Sequence, residues 1–173
     1  VDNFINSLIL LIVVIFQHDI RRALSEMGKG TLLGRLTYRE EIYFYDELMK
    51  SSVQLAQKHW GALIVLEREA DLTDYTEGGV EVDARVSRQL IQSIFSPSSP
   101  IHDGAIIIQE GRVTAAGCFL PLSMHTHIAR NMGTRHRAAI GLSEETDAVV
   151  IVVSEETGKI SLVTDGQITR DID

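Results

Sequence analysis

Two short runs carry side chains able to do chemistry. In the first, Ser96-Pro97-Ser98-Ser99-Pro100-Ile101-His102-Asp103-Gly104, a polar loop delivers His-Asp-Gly into the apolar run Ala105-Ile106-Ile107-Ile108. Each proline fixes its own φ and biases the residue before it towards extended backbone, so the loop is stiff and Asp103 is held in place. A carboxylate at a strand's edge can bind a metal ion or take a proton. Gly104 beside it has no Cβ and lets a ligand or a second backbone come close. On its own, Asp-Gly is also an ordinary turn pair.

The second run is Asn131-Met132-Gly133-Thr134-Arg135-His136-Arg137-Ala138-Ala139-Ile140-Gly141. Thr134 suits an N-cap, and the helix it opens presents free N–H groups and a positive dipole end. Two arginines and a histidine added there make a phosphate site by composition, and a solvated basic turn is the plainer alternative. Residues two apart point about 200° away from each other on a helix. Arg135 and Arg137 therefore do not grip one phosphate from a regular turn; one holds the ligand while the other braces the loop or reaches along a polyphosphate.

The elements that must position these runs follow from hydrophobic spacing. Ile42, Tyr45, Leu48, Met49, Val53 and Ala56 predict a helix from Glu40 to about Lys58 after a short joint over Thr31 to Arg39. Gly61 to Leu66 reads as a buried strand, Asp71 to Gly79 as a surface loop, and Ser87 to Phe95 as a short helix with Leu90, Ile91 and Ile94 inward. Ala105 to Gln109 and Arg112 to Leu120 form a hairpin joined by Glu110-Gly111, with Pro121 ending its second strand. Asp147 to Val153 is another buried strand; Ile160 to Val163 returns beside it, and the residues from Thr164 onward read as a polar tail.

The chain has 173 residues, 45% hydrophobic content and a formal net charge of -8. That suits one domain with a sizeable core and disfavours nucleic acid as a partner, so an anion site must be a local feature. The single cysteine, Cys118, rules out an intrachain disulfide and a cysteine zinc cage and packs as a small hydrophobe. His125 and His127 lack a third ligand at fitting spacing and do not predict a zinc site. From Phe4 to Phe16 nearly every residue is apolar, and Arg21-Arg22 follow. This reads as the end of a membrane helix whose earlier part is missing, with a buried core helix as the plainer alternative, then an amphipathic connector through Ile20, Ala23, Leu24 and Met27.

Gly61-Ala62-Leu63-Ile64, Ser99 to Ala105, Leu120-Pro121-Leu122-Ser123, Gly133 to Gly141 and Val152 to Gly158 resemble, in order, segments of the diadenylate cyclase domain. Phe16 to Leu24 is similar to the joint of its membrane-anchored subgroup, with His18-Asp19 where Pro-Glu is expected. The resemblance implies an α/β fold with a mixed central sheet surrounded by helices, and condensation of two ATP into cyclic di-AMP and two pyrophosphates. It implies a catalytic domain over 31–165, a membrane-helix end and connector over 1–30, and a polar tail over 166–173.

By the same resemblance, Asp103 and the Arg135-His136-Arg137 motif are catalytic, and Asp103 with His102 holds a divalent metal, Mg or Mn, with Co a further option. Gly104, Ala105, Leu120, Thr134, Arg135, Ser154 and Glu156 bind the nucleotide. The implied partners are ATP, a second copy of the chain, the membrane through preceding helices with the domain on the cytoplasmic side, and a regulatory protein. Two other function classes compete: a nucleotide sensor without turnover, and a membrane-linked interaction domain.

Overall fold

The computed structural model describes residues 32–124 and 132–170, with side chains over 40–124 and 132–169. The expected membrane-helix end and connector, and His125 and His127, lie outside the described residues. The chain divides into two compact units, Val1–Ile42 and Tyr43–Asp173. Among the described residues no helix is long and apolar enough to cross a membrane.

The elements are α1 (Leu32–Gln57), β1 (Ala62–Leu66), α2 (Thr73–Thr76), β2 (Val80–Arg85), α3 (Arg88–Phe95), β3 (Ala105–Gln109), β4 (Arg112–Cys118), α4 (Thr134–Glu145), β5 (Val149–Val153), β6 (Ile160–Thr164) and β7 (Gln167–Arg170). One seven-stranded sheet runs β2-β4-β3-β1-β5-β6-β7. β1 and β3 are parallel and the other pairs antiparallel, so the sheet is mixed, as expected.

The central strands are unbroken apolar runs because both faces of the sheet are covered. Leu63, Val65, Ile107, Val150 and Val152 pack with Ala138, Ala139, Ile140 and Leu142 of α4. Their neighbours Ala62, Ile64, Ile106, Ile108 and Ile151 pack with Leu48 and Leu55 of α1 and Ile91, Ile94 and Phe95 of α3. Each buried Leu, Ile or Phe side chain contributes about 1.5–3 kcal/mol relative to exposure. The two layers therefore hold the strand ends where the chemistry-bearing loops begin.

Several boundaries differ from expectation. Leu32 to Arg39, expected within a joint, already belongs to α1, which runs from Leu32. The expected loop over Asp71 to Gly79 contains α2, and β2 follows it as an edge strand on β4, with an irregularity between Glu81 and Ala84. β4 stops at Cys118, before Pro121. Ser87 is the N-cap of α3 and accepts a hydrogen bond from the Leu90 amide at 3.3 Å. The expected polar tail supplies β7, which pairs with β6 from Thr164–Gln167 to Ser161–Arg170.

Candidate active site

One end of the sheet collects most of the residues singled out. Ile64 pairs with Ile106, and Ala62 with Val153. β1 lies between β3 and β5 in the sheet, so Gly61, just before β1, is at the same sheet end as the loop that carries Asp103 into β3 and as Ser154, just after β5. Ala105 pairs with Cys118, so Phe119 and Leu120 leave the sheet at this end too.

The amino-terminal end of α4 reaches the same place. An added Cβ on Gly61 would stand 2.5 Å from Arg135 Nη1 and 2.9 Å from Glu155 Oε2. Arg135 Nη1 donates to Glu155 Oε2 at 2.8 Å. A cavity of about 430 Å³ opens there, lined by Thr134, Arg135, His136, Ser154, Glu155 and Glu156 among others. That volume lies within the range of about 300–1,000 Å³ usual for small-molecule sites.

Thr134 is the first residue of α4 and not its cap. The N-cap is Gly133, which has no side chain to offer, so the first-turn N–H groups carry no side-chain cap. Together with Arg135, they make a positive end suited to an anion. Ser154 is fixed by its turn: its N–H donates to the Lys159 carbonyl at 3.0 Å, its carbonyl accepts from Gly158 at 2.9 Å, and its hydroxyl accepts from Thr157 N–H at 3.2 Å.

Other expected residues lie beside the cavity or away from it. Arg137 does not line it, as its offset from Arg135 on the helix dictates; its carbonyl accepts from Ser123 N–H at 3.0 Å. Ala105 is buried in the core, and Leu120 packs partly buried against it. Gly104 adopts φ +133°, and a Cβ there would stand 2.7 Å from the Gly117 carbonyl carbon. The close partner of Gly104 is thus the β4 backbone. Glycine satisfies both the backbone angle and the close approach.

Asp103 is exposed, with no hydrogen-bond or ion-pair partner among the described residues. His102 Nδ1 lies 2.5 Å from the Ser99 carbonyl oxygen. A carbonyl only accepts, so Nδ1 is the donor here, and in the neutral ring that leaves the Nε2 lone pair free. No group of three or more His, Cys, Asp or Glu suited to a metal occurs among the described residues. One carboxylate and one imidazole nitrogen fit a divalent ion that takes its remaining ligands from phosphate and water. Burial pushes the Cys118 thiol up to about 11, so at neutral pH it stays protonated and is a poor nucleophile.

Gly61, Glu155, Thr157, Lys159 and Ser161 are at this site without having been expected there. Glu155 sits inside the Val152 to Gly158 segment singled out in the sequence, where no role fell to it. Gly61 opens the Gly61-Ala62-Leu63-Ile64 segment singled out in the sequence, but its role was not readable there, because it depends on a side chain from another element.

Fold and cavity together define a class: a two-layer-covered mixed α/β domain with a polar pocket, lined by charges of both signs, where a helix start meets the sheet end. A family model described as DisA bacterial checkpoint controller nucleotide-binding (DAC) matches residues 49–168, and the chain belongs to that family. It is 43% identical over 166 residues to a diadenylate cyclase of Listeria monocytogenes and 42% identical to the cyclic di-AMP synthase CdaA of Bacillus subtilis. Each alignment covers 94% of this chain and 61% of the relative, so the chain spans about three fifths of the length of these curated relatives.

Among solved structures, a double mutant of DacA from Staphylococcus aureus superposes with a TM-score of 0.76 at 44% identity, covering 78% of this chain and 90% of that one. A hypothetical membrane spanning protein from Bacillus cereus gives 0.72 at 34% identity, covering 93% and 80%.

Proposed function

We propose that this chain is the catalytic part of a diadenylate cyclase that joins two ATP molecules into cyclic di-AMP and two pyrophosphates. The observation that carries this reading is the gathering, at one sheet end, of Arg135, an uncapped helix start and the exposed carboxylate of Asp103. Family membership and the activities named for the Listeria and Bacillus relatives support it.

In each half-reaction a ribose 3′-oxygen bonds to the α-phosphorus of the other nucleotide, the bond from that phosphorus to the bridging oxygen breaks, and pyrophosphate leaves. Each ATP is both nucleophile and electrophile. Two copies of the chain, facing each other about a two-fold axis, bring the nucleotides into line. An exposed Asp103 outside the cavity wall suits action on a nucleotide shared with a second copy. Phe119 and Met124, at 75% and 88% exposure, offer apolar surface for that pairing.

Thr134, Arg135, His136 and the α4 N–H groups hold the triphosphate, and Arg137 completes the motif by bracing the loop through its backbone. Ser154 and Glu156 contact phosphate or metal; Gly104 and Leu120 form the wall beside the nucleotide, with Ala105 buried behind it. Asp103 takes the 3′-hydroxyl proton or holds, with His102 Nε2, a divalent ion (Mg, Mn or Co). When bound, that ion spreads the charge that builds on the α-phosphate as pyrophosphate leaves.

In the whole protein, preceding helices attach the domain to the cytoplasmic side of a membrane. A regulatory protein covering the site-bearing face would inhibit by blocking pairing. The test is incubation of the chain with ATP and Mg²⁺ or Mn²⁺, with nucleotides separated by chromatography. Cyclic di-AMP and pyrophosphate in a ratio of one to two are expected; a chain that binds ATP and pairs yet makes neither is a sensor.

A further inference from the structure

We propose that Glu155 and Gly61 are positioning residues that fix the Arg135 guanidinium for a phosphate before the nucleotide arrives. The inference rests on the assignment of Arg135 to the triphosphate and adds what places it there. Arginine is long and rotamer-rich, and one held in place loses less freedom on binding. Arg135 is held by one polar contact among the described residues, Nη1 to Glu155 Oε2 at 2.8 Å; its Nε is buried without a partner.

Gly61 is the floor of this arrangement. Its missing Cβ leaves the space that the guanidinium and the Glu155 carboxylate occupy, since any Cβ would fall 2.5 Å from Nη1 and 2.7 Å from Cζ. A guanidinium has five N–H donors, so the bond to Glu155 leaves others for a phosphate.

Glu155 could instead compete with phosphate for Arg135, and exposure argues against this. The Glu155 side chain is 59% exposed and the Arg135 side chain 19%. Solvent screens the repulsion between an exposed carboxylate and an incoming phosphate, while the orientation it imposes on a largely buried guanidinium persists.

Gly61→Ala is the informative variant because it removes no charge and no hydrogen-bonding group. Gly61 is not among the positive-φ residues, so alanine fits the backbone. The atoms a Cβ meets are the far ends of two flexible side chains, so the fold accommodates it and Arg135 moves.

The experiment measures binding of α,β-methylene ATP with Mg²⁺ by calorimetry to the wild type, Glu155→Ala, Glu155→Gln, Gly61→Ala and Arg135→Ala, with thermal melting as a check on folding. Glu155→Ala and Gly61→Ala are expected to weaken binding about tenfold, the loss expected for one charge-assisted contact. Glu155→Gln, whose amide oxygen still accepts from Nη1, should recover most of that loss. Unchanged or tighter binding in Glu155→Ala and Gly61→Ala, with Arg135→Ala still weakened, overturns the positioning role alone. Unchanged binding in Arg135→Ala overturns the phosphate assignment and the positioning role with it.

Discussion

The two ends of the central sheet both carry carboxylates, and they use them in opposite ways. At the end where β1 and β3 stop and β5 begins, Asp147 accepts from the Ala70 and Glu69 amides at 3.0 and 3.1 Å. Glu67 there accepts from the Leu72 amide at 2.9 Å and from Gln109 at 2.5 Å. At the other end, Asp103 is exposed with no described partner, and Glu155 faces an arginine instead of backbone. A carboxylate saturated with N–H donors locks a turn; one left open near the Arg135 pocket is available to a proton, a metal or a nucleotide.

That contrast is broken most forcefully at Asp103. Asp103→Asn keeps the size of the side chain and removes its charge. We expect an unchanged melting temperature and retained ATP binding, with product formation down at least about 100-fold, the scale of a lost acid–base group. Between the two ends, Ile64 is fully buried at the middle of β1. Ile64→Ala should cost about 2–5 kcal/mol in denaturant unfolding and impair both ends together. A loss of turnover without a loss of stability there would contradict the idea that the core only positions the site.

Cys118 provides a pH probe near the site end. Its folded value, about 11, lies above the ordinary 9.0, so its contribution to stability is complete below about pH 9 and is lost as pH rises to about 11. The wild type should lose stability over that window relative to Cys118→Ala, read from unfolding curves. The thiol should also label slowly at pH 8 until the protein is unfolded.

The far end gives the smallest effect and the opposite pH sign. Hydrogen bonds from the Ala70 and Glu69 amides hold the Asp147 carboxyl below its usual range, against a smaller opposing effect of desolvation. Its stabilisation is present above about pH 4 and is lost as pH falls through the lowered value. Asp147→Asn should therefore reduce the melting temperature slightly at neutral pH, with the difference from wild type vanishing in acid and turnover unaffected.

The sequence was most legible where burial on both faces left no alternative. β1 and β5 are apolar throughout and β3 is apolar up to Gln109; of the inward stripe expected for α3, Ile91 and Ile94 are buried, while Phe95 takes the third buried place and Leu90 is only partly buried. Edges were harder. Glu110-Gly111 and Asp165-Gly166 make the same two-residue turn, with φ of 50° and 74° in one and 50° and 70° in the other. The first joins two apolar strands and reads as a hairpin. The second leads into Gln167-Ile168-Thr169-Arg170, where Ile168 alone packs against the core, so the strand passes for a tail. β2 hid similarly, although Val80, Val82 and Ala84 alternate with charged residues as an edge strand's should.

For the site, residue chemistry was readable and convergence was not. Asp103 and Arg135 stand out by type, but their shared sheet end follows only from the parallel pairing of β1 with β3 and the antiparallel pairing of β1 with β5. Gly61 matters because of what lies above it, and Thr134 yields the cap to Gly133.

The most direct test compares the two ends in one assay: ATP and Mn²⁺ with the wild type, Asp103→Asn and Asp147→Asn, followed by chromatography for cyclic di-AMP. The account predicts product from the wild type and Asp147→Asn and essentially none from a folded, ATP-binding Asp103→Asn. Normal product from Asp103→Asn, or its loss in a folded Asp147→Asn, would place the chemistry elsewhere and contradict it.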